Sequence, residues 1–172
     1  MSISGPHFPF DPPAEYLDRV DQAATGGALT FGELEDPQRI HYRSLHERAP
    51  GWIESGRNDR YRWDYWGRLR LHYFANVALI DDQIGLIMAA AKRQFGDNLM
   101  VAFTPDHGEM LGNHGMWGKG HCFYDDVLRV PLLLRQPAGV AAGTRSDDLV
   151  SLVDLFPTFV TAAEVVSGLV EL

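Results

Sequence analysis

One helical stretch constrains the fold more than any other part of the sequence. Between Asp64 and Gly96 apolar side chains recur every three or four residues, which is the spacing of one face of an α-helix. The apolar positions are Leu69, Tyr73, Val77, Ile80, Ile84, Ile87, Ala91 and Phe95. Gly96 is suited to the left-handed conformation that ends many helices. The spacing therefore predicts one long amphipathic helix that stops at Gly96.

Two short apolar runs after this helix predict strands. Leu99–Thr104 and Val130–Arg135 are almost continuously apolar, as is typical of strands covered on both faces. Ser151 and Asp154 resemble a capping box at the start of a second helix, from Leu155 to Val166. Helix, strand, loop, strand and helix in this order predict an α/β domain with a layered, mainly parallel sheet.

The first part of the chain is rich in proline. Four of the ten prolines lie in residues 6–13, which predicts an extended loop. A short helix from Ala14 to Val20 is expected next, with Pro13 near its first turn. Residues from about 21 to 63 show no sustained period, so we expect a peripheral excursion there.

Composition excludes several classes of protein. The chain has 172 residues, 45% hydrophobic and 22% charged, which favours one globular domain over a disordered chain. The net charge of −8 argues against partners such as nucleic acid or anionic membranes. A single cysteine, Cys122, cannot form an internal disulfide. No run of eighteen uninterrupted apolar residues occurs, and the first residues lack a secretory signal, so we expect a cytoplasmic protein without a membrane span.

Chemically active side chains follow the first predicted strand. Asp106 and His107 are adjacent at the point where ligands bind in parallel sheets, and a carboxylate beside an imidazole suits a divalent cation. The alternative is that Asp106 caps a turn and His107 is a hydrogen-bonded loop histidine. The residues from 105 to 109 do not decide between these interpretations.

A glycine-rich loop comes next along the chain. Lys119 lies in it between two glycines and is one of only two lysines, so it is a candidate point charge for an oxyanion. The alternative is a solvated surface lysine. His114 and His121 are interpreted as structural or supporting groups and not as ligands.

Several motifs in a fixed order resemble the sulfatases, which belong to the alkaline phosphatase superfamily. The motifs that carry the resemblance are Pro6–Pro13, Tyr73–Gly85, Phe103–Gly115, Trp117–Gly120, Val130–Leu133 and Val153–Thr158. The pairing of aspartate with histidine at 106 and 107 is most similar to phosphonate monoester hydrolases and related arylsulfatases. The resemblance implies a three-layer, mainly parallel, alkaline-phosphatase-like sheet, incomplete on its N-terminal side. It also implies that residues 1–172 are part of a sulfatase catalytic domain.

The resemblance also implies roles for individual residues. Asp106 and His107 match metal ligands that hold one calcium or manganese ion. Lys119 and His7 match groups that contact the sulfate or phosphate-type oxyanion, and an imidazole such as His7 can protonate a leaving oxygen near neutral pH. Asp81 and Asp82 fall in a family motif within the long helix and are interpreted as structural, binding loop backbone. The implied function is hydrolysis of small-molecule sulfate esters.

The sequence departs from the family pattern at the nucleophile. Sulfatases carry a Cys/Ser-x-Pro/Ala-x-Arg motif that is converted to formylglycine, whereas Cys122 is followed by Phe123-Tyr124-Asp125-Asp126. The family's early aspartate pair also has no counterpart before His7. We therefore expect little or no hydrolysis by these 172 residues alone, and self-association through uncovered sheet edges. The alternatives are a phosphonate monoester or phosphodiester hydrolase of the same superfamily, and a truncated domain without catalysis.

Overall fold

A computed structural model of the chain describes residues 1–25, 63–111, 113, 118–119, 123–136 and 141–163. The chain divides into two compact units, Met1–Pro137 and Ala138–Leu172. The elements of the first unit, in chain order, are α1 (Ala14–Leu17), α2 (Gln22–Thr25), α3 (Trp63–Phe95), β1 (Val101–Phe103), α4 (Asp125–Leu128) and β2 (Leu133–Arg135). The second unit holds a 3-10 helix (Leu152–Asp154) and α5 (Leu155–Ala162).

The long helix predicted from apolar spacing is confirmed. Helix α3 has 33 residues and ends at Phe95, one residue before the predicted glycine. Gly96 has a φ of 63° and donates its N–H to the carbonyl of Lys92 at 2.9 Å. A residue with a Cβ is disfavoured in that left-handed conformation, which explains why a glycine terminates the helix.

The proline-rich segment is a loop, as predicted, and it lies along α3. A Cβ added to Gly5 would stand 2.9 Å from Ile80 Cδ1, so glycine permits this close approach. The Phe10 ring meets the Tyr73 ring edge-on at 5.4 Å, and the Phe10 carbonyl lies 3.0 Å from His72 Nδ1. The segment therefore runs along α3 towards the start of that helix.

A cluster of polar side chains joins α1 to the middle of α3. The Tyr16 hydroxyl donates to Asp82 Oδ2 at 2.9 Å. Arg19 forms a bidentate ion pair with the same carboxylate, with Nη1 at 2.5 Å from Oδ2 and Nη2 at 3.1 Å from Oδ1. Asp82 is therefore structural, as predicted, although it binds side chains of α1 and the following turn and not loop backbone. The predicted helix from Ala14 to Val20 is shorter in the structure, ending at Leu17.

The two predicted strands exist, but their arrangement differs from the expectation. β1 and β2 pair antiparallel, with Ala102 opposite Leu134, so the parallel arrangement is not seen in this pair. Antiparallel strands are common at the margin of otherwise parallel sheets. The prediction of burial on both faces is wrong for the described residues. Phe103 is 41% exposed and Leu133 is 64% exposed, because no described layer packs over them.

The second unit contains the predicted capping box. The backbone N–H of Ser151 donates to Asp154 Oδ2 at 3.0 Å, and the chain continues directly into α5. The helix predicted from Leu155 to Val166 is confirmed as far as Ala162. Residues from 164 onward, and 26–62 of the predicted excursion, lie outside the described residues.

The segment Gly67–Phe95 of α3 is long and apolar enough to cross a membrane by length and composition. The sequence analysis did not predict a membrane span here, because Asp81 and Asp82 interrupt the apolar run. The structure shows Asp82 bound to Arg19 and Tyr16 of the same chain, which are contacts that a folded domain makes. Length and composition alone are weak evidence for a membrane span, and the absence of a membrane partner stays a prediction.

Candidate active site

The loop that follows β1 brings Asp106 and His107 together. The backbone N–H of His107 donates to Asp106 Oδ1 at 3.1 Å, and His107 Nε2 lies 3.7 Å from Asp106 Oδ2. The Asp106 side chain is largely exposed and the His107 side chain is partly exposed. A carboxylate oxygen and a ring nitrogen are thus presented side by side at the surface, just after the strand.

The hydrogen bond of the second ring nitrogen fixes the tautomer of His107. His107 Nδ1 lies 2.9 Å from the Gly108 carbonyl oxygen. Because a carbonyl oxygen only accepts, Nδ1 carries the proton, and Nε2 of the neutral ring presents a lone pair. Metal-binding histidines usually donate their other N–H to a carbonyl or carboxylate in this way.

Gly108 packs the loop that follows β1 closely against α4. Its N–H donates to the Val127 carbonyl at 2.8 Å, and a Cβ added here would stand 1.9 Å from the backbone oxygen of Asp126. Only glycine therefore allows this approach of two backbones. The contact holds the residues on either side of Gly108 in place.

A half-buried polar network supports the same loop from α3. Arg70 donates through Nε to the Leu111 carbonyl at 2.8 Å and through a terminal nitrogen to Asn113 Oδ1 at 3.0 Å. Asn113 in turn donates to the Asp126 carboxylate. Burial lowers the pKa of Arg70, and the charge of Asp126 opposes that decrease. α3 and α4 are thus tied to the loop from both sides.

Glu109 is a site residue that sequence reasoning missed. Its carboxylate accepts a hydrogen bond from the backbone N–H of Met110 at 3.1 Å. Burial raises the pKa of the Glu109 carboxyl, while nearby backbone N–H groups, that of Gly118 foremost, and the charge of Lys119 oppose the rise. The available sequence signal was an acidic residue two positions after His107.

Lys119 and His7 meet at the same aromatic ring. Lys119 Nζ lies 5.7 Å from the centroid of the Phe8 ring, within cation–π range, and the His7 ring stacks on that ring at 4.6 Å. His7 Nδ1 lies 2.8 Å from the Phe8 carbonyl, so Nδ1 carries the proton and Nε2 is the open ring nitrogen. Within the described part of the chain no ion pair joins Lys119 to Asp106.

The donor chemistry at Asp106 and His107 fits part of the ligand set of a divalent cation. A hard carboxylate oxygen and a neutral imidazole nitrogen are ligands that such ions accept. The residues that the structure describes contain no cluster of three or more His, Cys, Asp or Glu side chains able to hold a metal. His114, His121 and Cys122 lie outside the described residues.

A family model described as sulfatase matches residues 1–165. The chain belongs to the sulfatase family. It is 33% identical over 166 residues to the uncharacterized sulfatase YidJ of Escherichia coli, covering 96% of this chain and 31% of that protein. It is also 34% identical to mouse iduronate 2-sulfatase, covering 89% of this chain and 33% of that enzyme.

A solved structure is similar to this sulfatase chain. The crystal structure of the phosphonate monoester hydrolase of Agrobacterium radiobacter matches with a TM-score of 0.60 and 29% identity, covering 77% of this chain and 28% of that one. The described elements thus correspond to part of an alkaline-phosphatase-like hydrolase fold. This sulfatase chain spans about a third of the length of the curated relatives it matches.

Sulfatases generally use a divalent cation and a formylglycine. In this sulfatase chain the structure brings the four predicted site residues together in two pairs, Asp106 with His107 and His7 with Lys119. Glu109 follows His107 by two residues, and the charge of Lys119 acts on its carboxyl.

Proposed function

We propose that the protein containing this chain hydrolyses sulfate esters of small molecules. The match of the sulfatase family model to residues 1–165 carries the proposal. The pairing of Asp106 with His107, and of His7 with Lys119 on one aromatic ring, supports it. Such cationic and hydrogen-bonding groups stabilise negative charge that develops on the oxygens of a tetrahedral ester during hydrolysis.

Individual roles follow from the chemistry of each side chain. Asp106 and the Nε2 atom of His107 would hold a calcium or manganese ion together with ligands beyond the described residues. A bound cation supplies Lewis-acid polarisation of the ester oxygens. Lys119 would place its positive charge beside a nonbridging oxygen. His7 would donate the Nε2 proton of its imidazolium form to the leaving oxygen and return to the neutral ring protonated at Nδ1.

The nucleophile is the part that these 172 residues do not supply. No Cys/Ser-x-Pro/Ala-x-Arg motif occurs in the sequence. We propose that formylglycine comes from a segment beyond residues 1–172 and that this chain by itself hydrolyses little or no ester. The alternative of a truncated domain without catalysis predicts that no such segment exists.

The proposed catalytic domain has a three-layer, mainly parallel sheet. In this arrangement the antiparallel pair of β1 and β2 forms one margin of the sheet, and flanking helical layers cover the exposed side chains of Phe103 and Leu133. The similarity to an alkaline-phosphatase-like hydrolase over 77% of the chain supports this arrangement.

Phosphonate monoester hydrolysis is the second candidate function. The similarity to the Agrobacterium enzyme, with its TM-score of 0.60, favours it, because that enzyme is a phosphonate monoester hydrolase. Both ester classes present tetrahedral anions to the same kinds of cationic group.

A combined sequencing and assay experiment tests the proposal. The coding region on both sides of residues 1–172 is sequenced, and the longest in-frame protein is assayed with an aryl sulfate, an aryl phosphonate and an aryl phosphodiester in the presence of Ca²⁺ or Mn²⁺. We expect an in-frame formylglycine motif and a preference for the sulfate ester; a preference for the phosphonate would favour the second candidate. A protein that carries the motif but turns over none of the three esters contradicts the proposed function.

A further inference from the structure

Leu111 has an unusual backbone conformation in the loop that carries Asp106 and His107. Its φ is 45°, in the left-handed region, and it is the only residue other than glycine with a positive φ in the part of the chain that the structure describes. A residue with a Cβ is disfavoured there, so the conformation persists only where neighbouring groups hold it. The loop therefore needs a contact that holds its backbone at Leu111.

Arg70 on α3 supplies that contact. Its Nε donates to the Leu111 carbonyl at 2.8 Å, and its Nη2 donates to Asn113 Oδ1 at 3.0 Å. Because the donors of a guanidinium form a rigid planar fork, the two hydrogen bonds fix distance and direction together. One half-buried side chain of α3 thus holds the chain at two points after the Asp-His pair.

The contact with Asn113 also reaches α4, the second support of the loop. The Asn113 amide nitrogen donates to the Asp126 carboxylate. The backbone next to this carboxylate is where Gly108 docks, since the Gly108 N–H donates to the Val127 carbonyl at 2.8 Å. Arg70 is therefore linked to Gly108 through Asn113 and Asp126.

Gly108 passes this constraint on to the candidate cation ligands. Its carbonyl accepts the Nδ1–H of His107 at 2.9 Å, and the backbone N–H of His107 donates to Asp106 Oδ1 at 3.1 Å. The directions of the ring and of the carboxylate thus depend on the backbone from residue 106 to 111. Arg70 holds that backbone at its far end.

We propose that Arg70 is a positioning residue: by holding the backbone at Leu111 and, through Asn113, the docking of the loop on α4, it keeps the Asp106 carboxylate and His107 Nε2 side by side for a divalent cation. The cation part rests on the proposed function. The positioning part concerns the chain without metal and is measured separately.

The experiment uses the full 172-residue chain with two substitutions of Arg70. Arg70→Ala removes both donors, and Arg70→Lys keeps the positive charge but not the fork. Arg19→Ala is the matched control, because it removes another arginine contact with α3, at Asp82, without touching the loop. Circular dichroism shows that each variant is folded under the conditions of measurement.

The first measurement follows the His107 ring in the absence of metal. Long-range proton–nitrogen NMR spectra are recorded above about pH 8, where free imidazole side chains are neutral, and His107→Ala assigns the ring signals. In the wild type we expect well-separated nitrogen shifts for a protonated Nδ1 and an unprotonated Nε2. In Arg70→Ala the two shifts should move towards each other, because a ring released from the Gly108 carbonyl exchanges between its tautomers.

The second measurement is the Mn²⁺ affinity, from the electron paramagnetic resonance of unbound Mn²⁺ during titration with MnCl₂. In Arg70→Ala the Kd should rise about tenfold, as is usual when a group that orients a metal-binding histidine is lost. Arg70→Lys should fall between Arg70→Ala and the wild type in both measurements, since it can replace one of the two hydrogen bonds. Arg19→Ala should match the wild type in both, even where its melting temperature is lower.

Three results would overturn the positioning role. The first is an unchanged ring spectrum or an unchanged Mn²⁺ affinity in Arg70→Ala. The second is the same change in Arg19→Ala, which would assign the effect to general stability. The third is an Arg70→Lys chain that matches the wild type, which would show that the charge suffices without the two hydrogen bonds.

Two further outcomes are also decisive. If Arg70→Ala does not fold, Arg70→Lys is compared with Arg19→Ala by the same criteria. If the wild type does not bind Mn²⁺ while the ring spectra respond as expected, the cation role in the proposed function is wrong and the positioning role stands.

Discussion

His107 and Gly108 show how single residues set the geometry of the loop that follows β1. The Gly108 carbonyl fixes which ring nitrogen of His107 is open, and the absence of a side chain at Gly108 lets the loop dock on α4. These effects were not visible in the sequence, because they depend on the backbone of residues 126 and 127. The choice of Asp106 and His107 as metal-ligand candidates was possible because the pair is adjacent and follows a strand.

Replacing either donor should weaken cation binding. We expect Asp106→Ala and His107→Ala to lower the Mn²⁺ affinity of the chain at least about tenfold, because each removes one donor of a set that is already small. Isothermal titration with MnCl₂ measures this. Asp97→Ala, which removes an exposed carboxylate paired with Arg135, is the control and should leave the affinity unchanged. Equal Mn²⁺ affinity in all four proteins contradicts the assignment.

Adding one methyl group at Gly108 should destabilise the fold. In Gly108→Ala the new Cβ would overlap the backbone oxygen of Asp126, so two backbones must separate, at a cost of roughly 1–3 kcal/mol. Urea unfolding, followed by circular dichroism, measures the change. Gly85→Ala on α3, where a Cβ meets nothing within 4 Å, should instead stabilise by about 0.5–1 kcal/mol. Equal effects at the two positions would show that the contact at Gly108 is not as described.

At the scale of elements, α3 organises the first unit. The N-terminal loop, α1 and the loop after β1 all attach to it, through Tyr73, Asp82 and Arg70 respectively. The ion pair at Asp82 is half-exposed, so its effect on stability is modest and depends on pH.

The attachment of α1 should weaken in acid. Hydrogen bonds from Arg19 and then Tyr16 lower the pKa of Asp82 below its usual value of about 4. A carboxyl whose pKa is lower in the folded state stabilises the fold above its unfolded-state pKa, and this contribution disappears as the pH falls through the folded-state pKa. The melting temperature of Asp82→Asn should therefore lie below that of the wild type between pH 5 and 7, and the two should converge in stronger acid.

The neighbouring residue provides the control for this measurement. Asp81→Asn removes an exposed carboxylate for which no hydrogen bond to α1 is found in the described residues, so its melting temperature should follow that of the wild type. A difference between Asp82→Asn and the wild type that is the same at every pH would contradict the role of the charge.

Elements with a local signal were predictable, and those with distant partners were not. α3, its end at Gly96 and the capping box at Ser151 follow from residues close in sequence, whose spacing and side chains fix a helix and its termini. The antiparallel pairing of Ala102 with Leu134 depends on a partner more than thirty residues away. The burial that raises the pKa of Glu109 depends likewise on its tertiary surroundings, which no periodicity reveals.

On the scale of the whole molecule, the described surface contains many exposed apolar side chains. On α3 alone Leu86 is 66% exposed, Phe95 59% and Val77 41%. The chain matches about a third of the length of its sulfatase relatives. A surface of this kind favours contact with further apolar groups.

The isolated chain should therefore self-associate. We expect the weight-average mass in sedimentation equilibrium to rise with concentration, because contact between copies removes apolar surface from water. Leu86→Lys should reduce the association, whereas Gln83→Lys, which adds the same charge at an exposed polar position of α3, should reduce it less. A monomer of 19.2 kDa at all concentrations contradicts the expectation.

The meeting of His7, Phe8 and Lys119 has a consequence for the order of events during synthesis. The aromatic ring is synthesised more than a hundred residues before its cationic neighbour. Helix α3 lies wholly between them in the sequence and makes local hydrogen bonds, so it can form first. The contact between these three residues is thus completed only after translation has passed residue 119, and a nascent chain arrested before that point has the ring but not the charge.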